Sequence, residues 1–294
     1  MMTIEALAEE LKPYRERMRR KSKAAFRRYL RGRAEELGLG YRESDSRLAK
    51  NVIIGDLEKA EYVLGAHYDT APRLPAFLAN HILLTNILIM LLFCIAPLLS
   101  IFNPYAALAA LVVFILALLY LLGFLSIPNK HNANDNTSGI LVLLYLMSVL
   151  PQDKAAYIFF DNEEKGLVGS FLFLSALRKN KLGHRRKKFI ILDCVGRGKL
   201  IRFTYIQKNS LPGALMKAAE MRGEYRFKVK KGSLFELSDH FVFMNYPHVG
   251  IFAYEQKGKK YRIRDIHCRK DRDFEKENIA IIADIIYNYM QGGE

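Results

Sequence analysis

Three hydrophobic patterns alternate along this chain. Short apolar runs bounded by polar turns predict strands at 51–55 and 62–67, joined by a short turn. Further strands are predicted at 155–161, 188–194, 200–206 and 248–254. Helical spacing of apolar residues marks 137–150, 167–180, 211–222 and 275–290. Strands alternating with helices predict an α/β sandwich with a largely parallel sheet. The basic clusters Arg185 to Lys188 and Lys228 to Lys231 read as solvated loop or edge residues.

The third pattern is a stretch from Leu74 to Asn129 without one Asp, Glu, Lys or Arg. Residues 78–102 and 106–127 are each long enough to cross a hydrocarbon core of roughly 30 Å as a helix. Asn103-Pro104-Tyr105 makes the turn between them, and Pro97 stands inside the first. The expectation is a two-helix transmembrane hairpin, with 78–127 in contact with a lipid bilayer. Both flanks of a hairpin emerge on one side. Lys and Arg crowd that side and are missing from the turn, so the positive-inside rule puts the body and both termini in the cytoplasm.

Residues 3–37 read as a basic amphipathic helix, with Ile4, Leu7, Leu11, Met18, Phe26, Leu30 and Leu37 among many Lys and Arg. Pro13 is placed to kink or split it, and Gly38 and Gly40 to end it. The N-terminus is charged from Glu5 onward and lacks the apolar core of a signal peptide. Over the whole chain 45 Lys and Arg stand against 30 Asp and Glu, a net charge of +15. That balance suits anionic lipid head groups. No helix-turn-helix, zinc-finger, RNP or KH signature accompanies it, so no nucleic-acid partner is expected. Three cysteines, Cys94, Cys194 and Cys268, are too few and too sparse for a disulfide framework.

Five short segments carry the candidate chemistry. They are Gly65 to Thr70, Asn134 to Gly139, Asp161 to Gly166, Leu192 to Gly196 and Asp265 to His267. A pair of zinc ions about 3.5–4 Å apart takes His and carboxylate ligands and needs one carboxylate shared between them. The chain offers His67, Asp135, Glu164, Asp193 and His267 for that purpose. His67, Glu163, Glu164 and Asp193 fall at the ends of predicted strands, where an open α/β sheet puts its ligands. Asp135 stands just before a predicted helix, whose positive end favours a carboxylate.

In this order the segments resemble the di-zinc aminopeptidase family, which includes glutamate carboxypeptidase, glutaminyl cyclase and transferrin-receptor relatives. Ser238-Asp239-His240 and the pairing of His267 with Asp271 complete the family's pattern over roughly residues 50–290. The resemblance implies a zinc exopeptidase-like three-layer sandwich with a largely parallel mixed sheet, interrupted by the hairpin. The chain then divides into residues 1–40 as a basic N-terminal helix, 41–73 with 130–294 as a zinc peptidase catalytic domain, and 74–129 as the inserted transmembrane hairpin. His67 and Asp193 would bind one zinc ion, Glu164 and His267 the other, and Asp135 both. Asp69 would orient His67, and Glu163 would be the general base acting on a metal-bridged water. A cis peptide would follow Asp135. The implied activity is that of a membrane-anchored exopeptidase, an aminopeptidase with a peptide substrate.

Three features depart from the family, the hairpin being the largest. A Tyr that some members carry three residues before Ser-Asp-His is Phe235 here, leaving Tyr254 and Tyr261 as alternative hydroxyls. The residue after the late His is Cys268, which reads as a buried bystander. The hairpin separates His67 from Asp135, with about seven residues between each of its ends and the nearest motif, which holds the site within roughly 25 Å of the bilayer surface. The alternatives are a glutaminyl-cyclase-like acyltransferase and a catalytically inactive receptor or scaffold. All five ligand positions are retained, which argues against the second. Nothing in the sequence sets an oligomeric state or a side-chain preference.

Overall fold

The computed structural model describes residues 2–121, 125–179, 187–219, 224–233 and 237–292. The far ends of two expected helices, at 180 and 220–222, lie outside the described residues, as do Phe235 and the Arg185–Arg186 cluster.

The helix expected over 3–37 is two helices, α1 (Ile4–Leu11) and α2 (Arg20–Glu36), with a 3-10 turn at Lys12–Tyr14. Pro13 cannot donate to the preceding turn, so α1 stops before it. Thr3 caps α1 through its hydroxyl, which accepts from the Ala6 amide at 3.2 Å. The pair lies on the domain. Leu7, Leu11, Phe26 and Leu30 are fully buried in the main core, each stabilising the packing by about 1.5–3 kcal/mol.

A mixed sheet follows, with nine strands among the described residues. They are β1 (Tyr41–Glu43), β2 (Val52–Ile54), β3 (Tyr62–His67), β4 (Ala155–Phe160), β5 (Lys188–Leu192), β6 (Leu200–Tyr205), β7 (Arg226–Lys231), β8 (His248–Lys257) and β9 (Lys260–Arg262). The order is β1-β2-β4-β3-β5-β8-β6-β7, with β9 paired to β8. The centre, β4-β3-β5-β8, is parallel. β2 and β6 run antiparallel to their central neighbours. β7 was expected as loop or edge; its Lys and Arg residues sit on an edge strand parallel to β6. Short β1 and β9 carry too few apolar residues to stand out in the sequence.

Side chains along the central strands alternate between two cores, as the two-residue period of a strand requires. Leu64, Tyr157, Phe159, Ile190 and Leu192 face one core, which is closed by α1, α2, α6 (Ser138–Val149), α8 (Leu211–Ala218) and α9 (Lys276–Gly292). Val63, Ile158, Phe160, Phe189 and Ile191 face the other, closed by α7 (Val168–Lys179) and the 3-10 turn Asp239–Phe243. Helices thus cover both faces of the sheet, which explains the nearly unbroken apolar runs of β3, β4 and β5.

The uncharged stretch forms a short helix, α3 (Ala76–Asn80), then α4 (Ile82–Phe102) and α5 (Pro104–Leu121). The carboxamide of Asn103 starts α5 by accepting from the amides of Tyr105 and Ala106 at 3.0 and 3.2 Å. Phe93 and Phe114 meet with ring centroids 4.9 Å apart. Most large apolar side chains of α4 point away from the protein, Ile101 and Phe102 among them. Among the described residues, only Leu84–Phe102 of the two expected spans has the length and apolarity of one; Pro104–Tyr120 is shorter. The expected second span, 106–127, includes residues 122–124, which lie outside the described residues. At its foot the insertion is closed by a bridge between Pro72 and Pro128 and by the Arg73 amide donating to Ile127 O at 2.9 Å.

Candidate metal centre

Three adjacent parallel strands deliver most of the site at their C-terminal ends. His67 closes β3, Asp193 follows β5 by one residue, and Glu163 and Glu164 follow β4 after Asp161 and Asn162. Asp69, two residues past His67, ties the β3 and β4 ends together. Its Oδ1 accepts from the Glu163 amide at 3.0 Å and its Oδ2 from the Glu164 amide at 3.3 Å. The same carboxylate lies 3.7 Å from His67 Nδ1, and the Asp69 carbonyl lies 3.2 Å from that nitrogen.

The segment before α6 explains its run of small polar residues. Asn134 Oδ1 accepts from the Gly196 amide at 2.7 Å. Asn136 Nδ2 donates to Leu192 O at 2.8 Å, and its Oδ1 accepts from the Gly139 amide at 3.1 Å. Ser138 Oγ donates to Asn134 O and accepts from the Val195 amide at 3.1 Å. Each side chain stitches this segment to the end of β5 and leaves the Asp135 carboxylate free to face the site. Asp271 completes the cradle, its two oxygens accepting from the Asn134 and Asp135 amides at 2.7 and 3.0 Å. The Asp135–Asn136 peptide is cis.

His267 arrives from the loop between β9 and α9, with a positive φ of 57°. That loop is pinned by the insertion. The Leu74 amide donates to His267 O at 2.8 Å, and Cys268 is buried against Leu74 and Ala79. The Cys268 thiol donates to Asp265 O at 3.1 Å, so it is occupied as a structural side chain.

The five candidate ligands converge. Asp135 Oδ1 lies 3.1 Å from His67 Nε2, and Asp135 Oδ2 lies 2.8 Å from His267 Nε2. Asp193 Oδ1 stands 3.6 Å from His67 Nε2 on one side. Glu164 Oε2 stands 3.3 Å from His267 Nε2 on the other. One carboxylate therefore faces two imidazoles, each with a further carboxylate beside it. Ligand atoms of His67, Asp135 and Glu164 lie within 4.8 Å of one another. Buried Glu164 Oε1 and Asp193 Oδ1 have no hydrogen-bond partner. Two imidazoles with three carboxylates are a donor set that zinc accepts, and unpartnered buried oxygens are what a cation would satisfy.

The electrostatics point the same way. Burial opposes the charged form of both imidazoles, yet both pKa values stand well above the ordinary value. Glu163, Asp135, Asp193 and Asp69 overcome burial at His67, and Glu164 with Asp135 overcomes it at His267. This acidic cluster demands positive charge. Burial raises the Glu163 pKa well above the carboxylate range, with Glu164, Asp239 and Asp193 adding to the effect. Asp239, from Ser238-Asp239-His240, is pushed up to about 7, chiefly by burial. Its neighbour His240 is pushed down to about 3 by burial and then by His248, so it is a neutral buried imidazole.

Two contributors, Arg17 and Lys23, were not singled out in the sequence. Arg17 is fully buried behind the site, with Nε donating to Tyr68 O at 2.5 Å, one terminal nitrogen to Tyr14 O at 2.8 Å, and the other to Thr137 Oγ1 at 3.0 Å and Asn132 Oδ1 at 3.3 Å. Lys23, also buried, bonds Asp161 and Asn162 and so fixes the chain just before Glu163. The Cys194 thiol groups with Asp135 and Asp193 within 4.8 Å. Of the alternative tyrosines, Tyr261 is engaged elsewhere, accepting from Arg226 and donating to Gln256. Tyr254 lies beneath the Arg202 guanidinium, 3.9 Å from its ring centroid.

A mixed α/β sheet with a histidine and carboxylate cluster at its strand ends defines a metallopeptidase-like protein. The sequence pattern of peptidase family M28 matches residues 116–290, more than half of the chain, and the chain belongs to that family. The matched stretch contains Asp135, Glu163, Glu164, Asp193 and His267; His67 precedes it. No curated protein matches the chain in sequence. Solved structures share the fold. The Legionella pneumophila LapA aminopeptidase is 13% identical at a TM-score of 0.64, covering 98% of this chain and 68% of its own. The Porphyromonas gingivalis glutaminyl cyclase is 17% identical at 0.67, covering 99% and 98%. A Zn-dependent exopeptidase from Parabacteroides distasonis is 18% identical at 0.65, covering 98% and 96%.

Proposed function

We propose that this chain is a membrane-anchored exopeptidase, an aminopeptidase that works with two zinc ions. The observation that carries the reading is the placement of Asp135, one oxygen toward His67 and the other toward His267. His67 and Asp193 would hold one ion, Glu164 and His267 the other, and Asp135 both. Zinc bound there supplies a Lewis acid that polarises a scissile carbonyl and makes water nucleophilic near neutral pH. Glu163 takes the proton released by water and hands it to the departing amine. Its buried, acidic surroundings raise its proton affinity, which suits that exchange. Asp69 holds both Glu amides and the His67 ring, so one carboxylate sets the positions of base and ligands together.

The outward-facing apolar residues of α4 and α5 favour a bilayer as their surroundings. The insertion anchors the chain, with 78–127 in lipid and the charged body on the cytoplasmic side. Its peptide substrate then meets the site close to the membrane surface.

The test is zinc content of the detergent-purified chain, with hydrolysis of an aminoacyl-nitroanilide panel before and after chelation. Two zinc ions per chain and chelator-sensitive cleavage support the reading. Bound zinc with cyclisation of glutaminyl peptides and no cleavage would replace it by acyl transfer. Failure to bind zinc would leave an inactive scaffold.

A further inference from the structure

Three chain segments meet where the insertion leaves the body. Asn132 Nδ2 donates to Arg15 O, and the Ala133 amide donates to Asp271 O at 3.2 Å. These bonds fix 12–15, 130–133 and 271–274 around a cavity of about 290 Å³. Each segment brings cations to it: Lys12 and Arg15, Lys130, and Arg272. A neighbouring cavity of about 380 Å³ is lined by Arg73, Arg269 and Lys270 together with Leu74, Tyr120 and Ile127 of the insertion's foot.

Lys12 pairs with Glu9 and Arg272 Nε donates to Arg269 O at 2.9 Å; among the described residues Arg15, Arg73, Lys130, Arg269 and Arg272 form no ion pair with a carboxylate. The carboxylate at the cavity floor, Asp271, is spent on two amides. Asp273 stands exposed at the rim. His131 senses the convergence: burial and then Arg272, Arg15, Arg269 and Arg73 hold its pKa below the ordinary value. Arg15, Lys130 and Arg272 thus line the first concavity and Arg73 and Arg269 the second.

We propose that this concave foot binds the phosphate of an anionic phospholipid in the leaflet that the insertion enters. Two facts select a lipid. The cations stand directly beside the residues at which the uncharged stretch begins and ends, Arg73 before Leu74 and Lys130 after Asn129. The second cavity joins basic and apolar lining, Arg73 and Arg269 with Leu74 and Ile127, as an amphiphile requires. Guanidinium groups match phosphate oxygens in pairs. Because the loop from Arg269 to Asp271 follows His267, a lipid seated there would rest against the segment that carries a candidate ligand. The inference depends on the insertion being an anchor, as proposed above.

The experiment uses the full chain. Flotation with vesicles of neutral phosphatidylcholine through an alkaline wash tests the anchor alone. The chain is then reconstituted with equimolar phosphatidylglycerol and phosphatidylcholine, and native mass spectrometry counts the lipids it retains. Enrichment of phosphatidylglycerol is expected, falling roughly fivefold for each of Arg15→Ala and Arg272→Ala. Lys130→Gln provides an independent variant. The exposed pair Arg47→Ala and Lys208→Ala removes the same charge elsewhere and should leave the enrichment intact. Equal loss in both pairs would overturn the site in favour of diffuse charge. Displacement of the lipid by inorganic phosphate would overturn the lipid assignment. Flotation without lipid preference would sink the site but keep the anchor, whereas no flotation would sink both.

Discussion

Asn80 and Asp265, 185 residues apart, exchange two hydrogen bonds. Asn80 Nδ2 donates to Asp265 Oδ1 at 2.9 Å, and the Asp265 amide donates to Asn80 Oδ1 at 2.9 Å. Asp265 and His267 both hold positive φ, 59° and 57°, uncommon for non-glycine residues although Asp and His adopt it more readily than most, and a tie to the rest of the fold adds restraint there. Asn80 belongs to α3, so the insertion supplies that restraint. Asn80→Ala should therefore loosen the loop that presents His267. Outer residues that orient metal ligands typically change affinity about 10–100-fold. Chelator competition should show one zinc ion released about tenfold more readily in the variant, with the second little changed. Identical release from the variant and the parent protein would refute the clamp.

Glu163 is half-buried beside the candidate ligands and is not one of the five residues proposed to hold zinc. Glu163→Gln keeps its volume and removes its basicity. Turnover should fall by about 10²–10⁴, while bound zinc and circular dichroism stay unchanged. Turnover within a few-fold of the parent would assign the base elsewhere, and lost zinc would make Glu163 a ligand instead.

Much of this arrangement is legible in the sequence, for a physical reason. Candidate ligands at strand ends sit beside strongly apolar runs such as Tyr157 to Phe160 and Phe189 to Leu192, so pattern and chemistry reinforce each other. The Asn-Asp-Asn-Thr-Ser-Gly segment is a dense local network, and dense local networks leave a compact signature. The parallel centre of the sheet follows from the same runs. Three things were hidden. Edge strand β7 alternates Lys with Phe227 and Val229, which mimics a solvated loop. Arg17 lies in a stretch where nine of the eighteen residues from Arg15 to Gly32 are basic, and composition cannot tell which one turns inward. The Asn80–Asp265 exchange joins an apolar insertion to a distant loop, and long-range pairs between common polar residues have no sequence pattern.

Asp271 is another distant support. Its carboxylate is buried and accepts from the Asn134 and Asp135 amides. Burial raises its pKa to about 7, and the Asp135 charge adds to this against the two amide bonds. Asp271→Ala strands both amides, at about 1–3 kcal/mol each, and frees the segment that holds Asp135. Thermal denaturation should show a clear loss of stability, and zinc binding should weaken at both positions together. Asp271→Asn keeps one acceptor oxygen and should fall between the two. A variant with full stability and unaltered zinc binding would remove Asp271 from the support of Asp135.

Arg17 supports the same centre by charge. Its guanidinium is enclosed, and burial holds its pKa down to about 10, against the pull of Asp69 and Asp135. It therefore stays cationic at neutral pH, behind a cluster rich in carboxylates. Arg17→Met preserves much of the apolar stem. It leaves Tyr68 O and Tyr14 O without that donor, and removes the positive charge. The loss of stability should be on the order of 3 kcal/mol in zinc-free protein. Zinc adds positive charge to the same cluster, so the deficit should shrink in zinc-loaded protein. Arg17→Lys retains the charge but not the planar fork, and should show a smaller deficit that zinc alters less. Thermal denaturation of the three proteins with and without zinc separates the two contributions. If Arg17→Met loses the same stability in both states, Arg17 acts by packing and hydrogen bonding alone, and its charge has no part in holding the acidic cluster together.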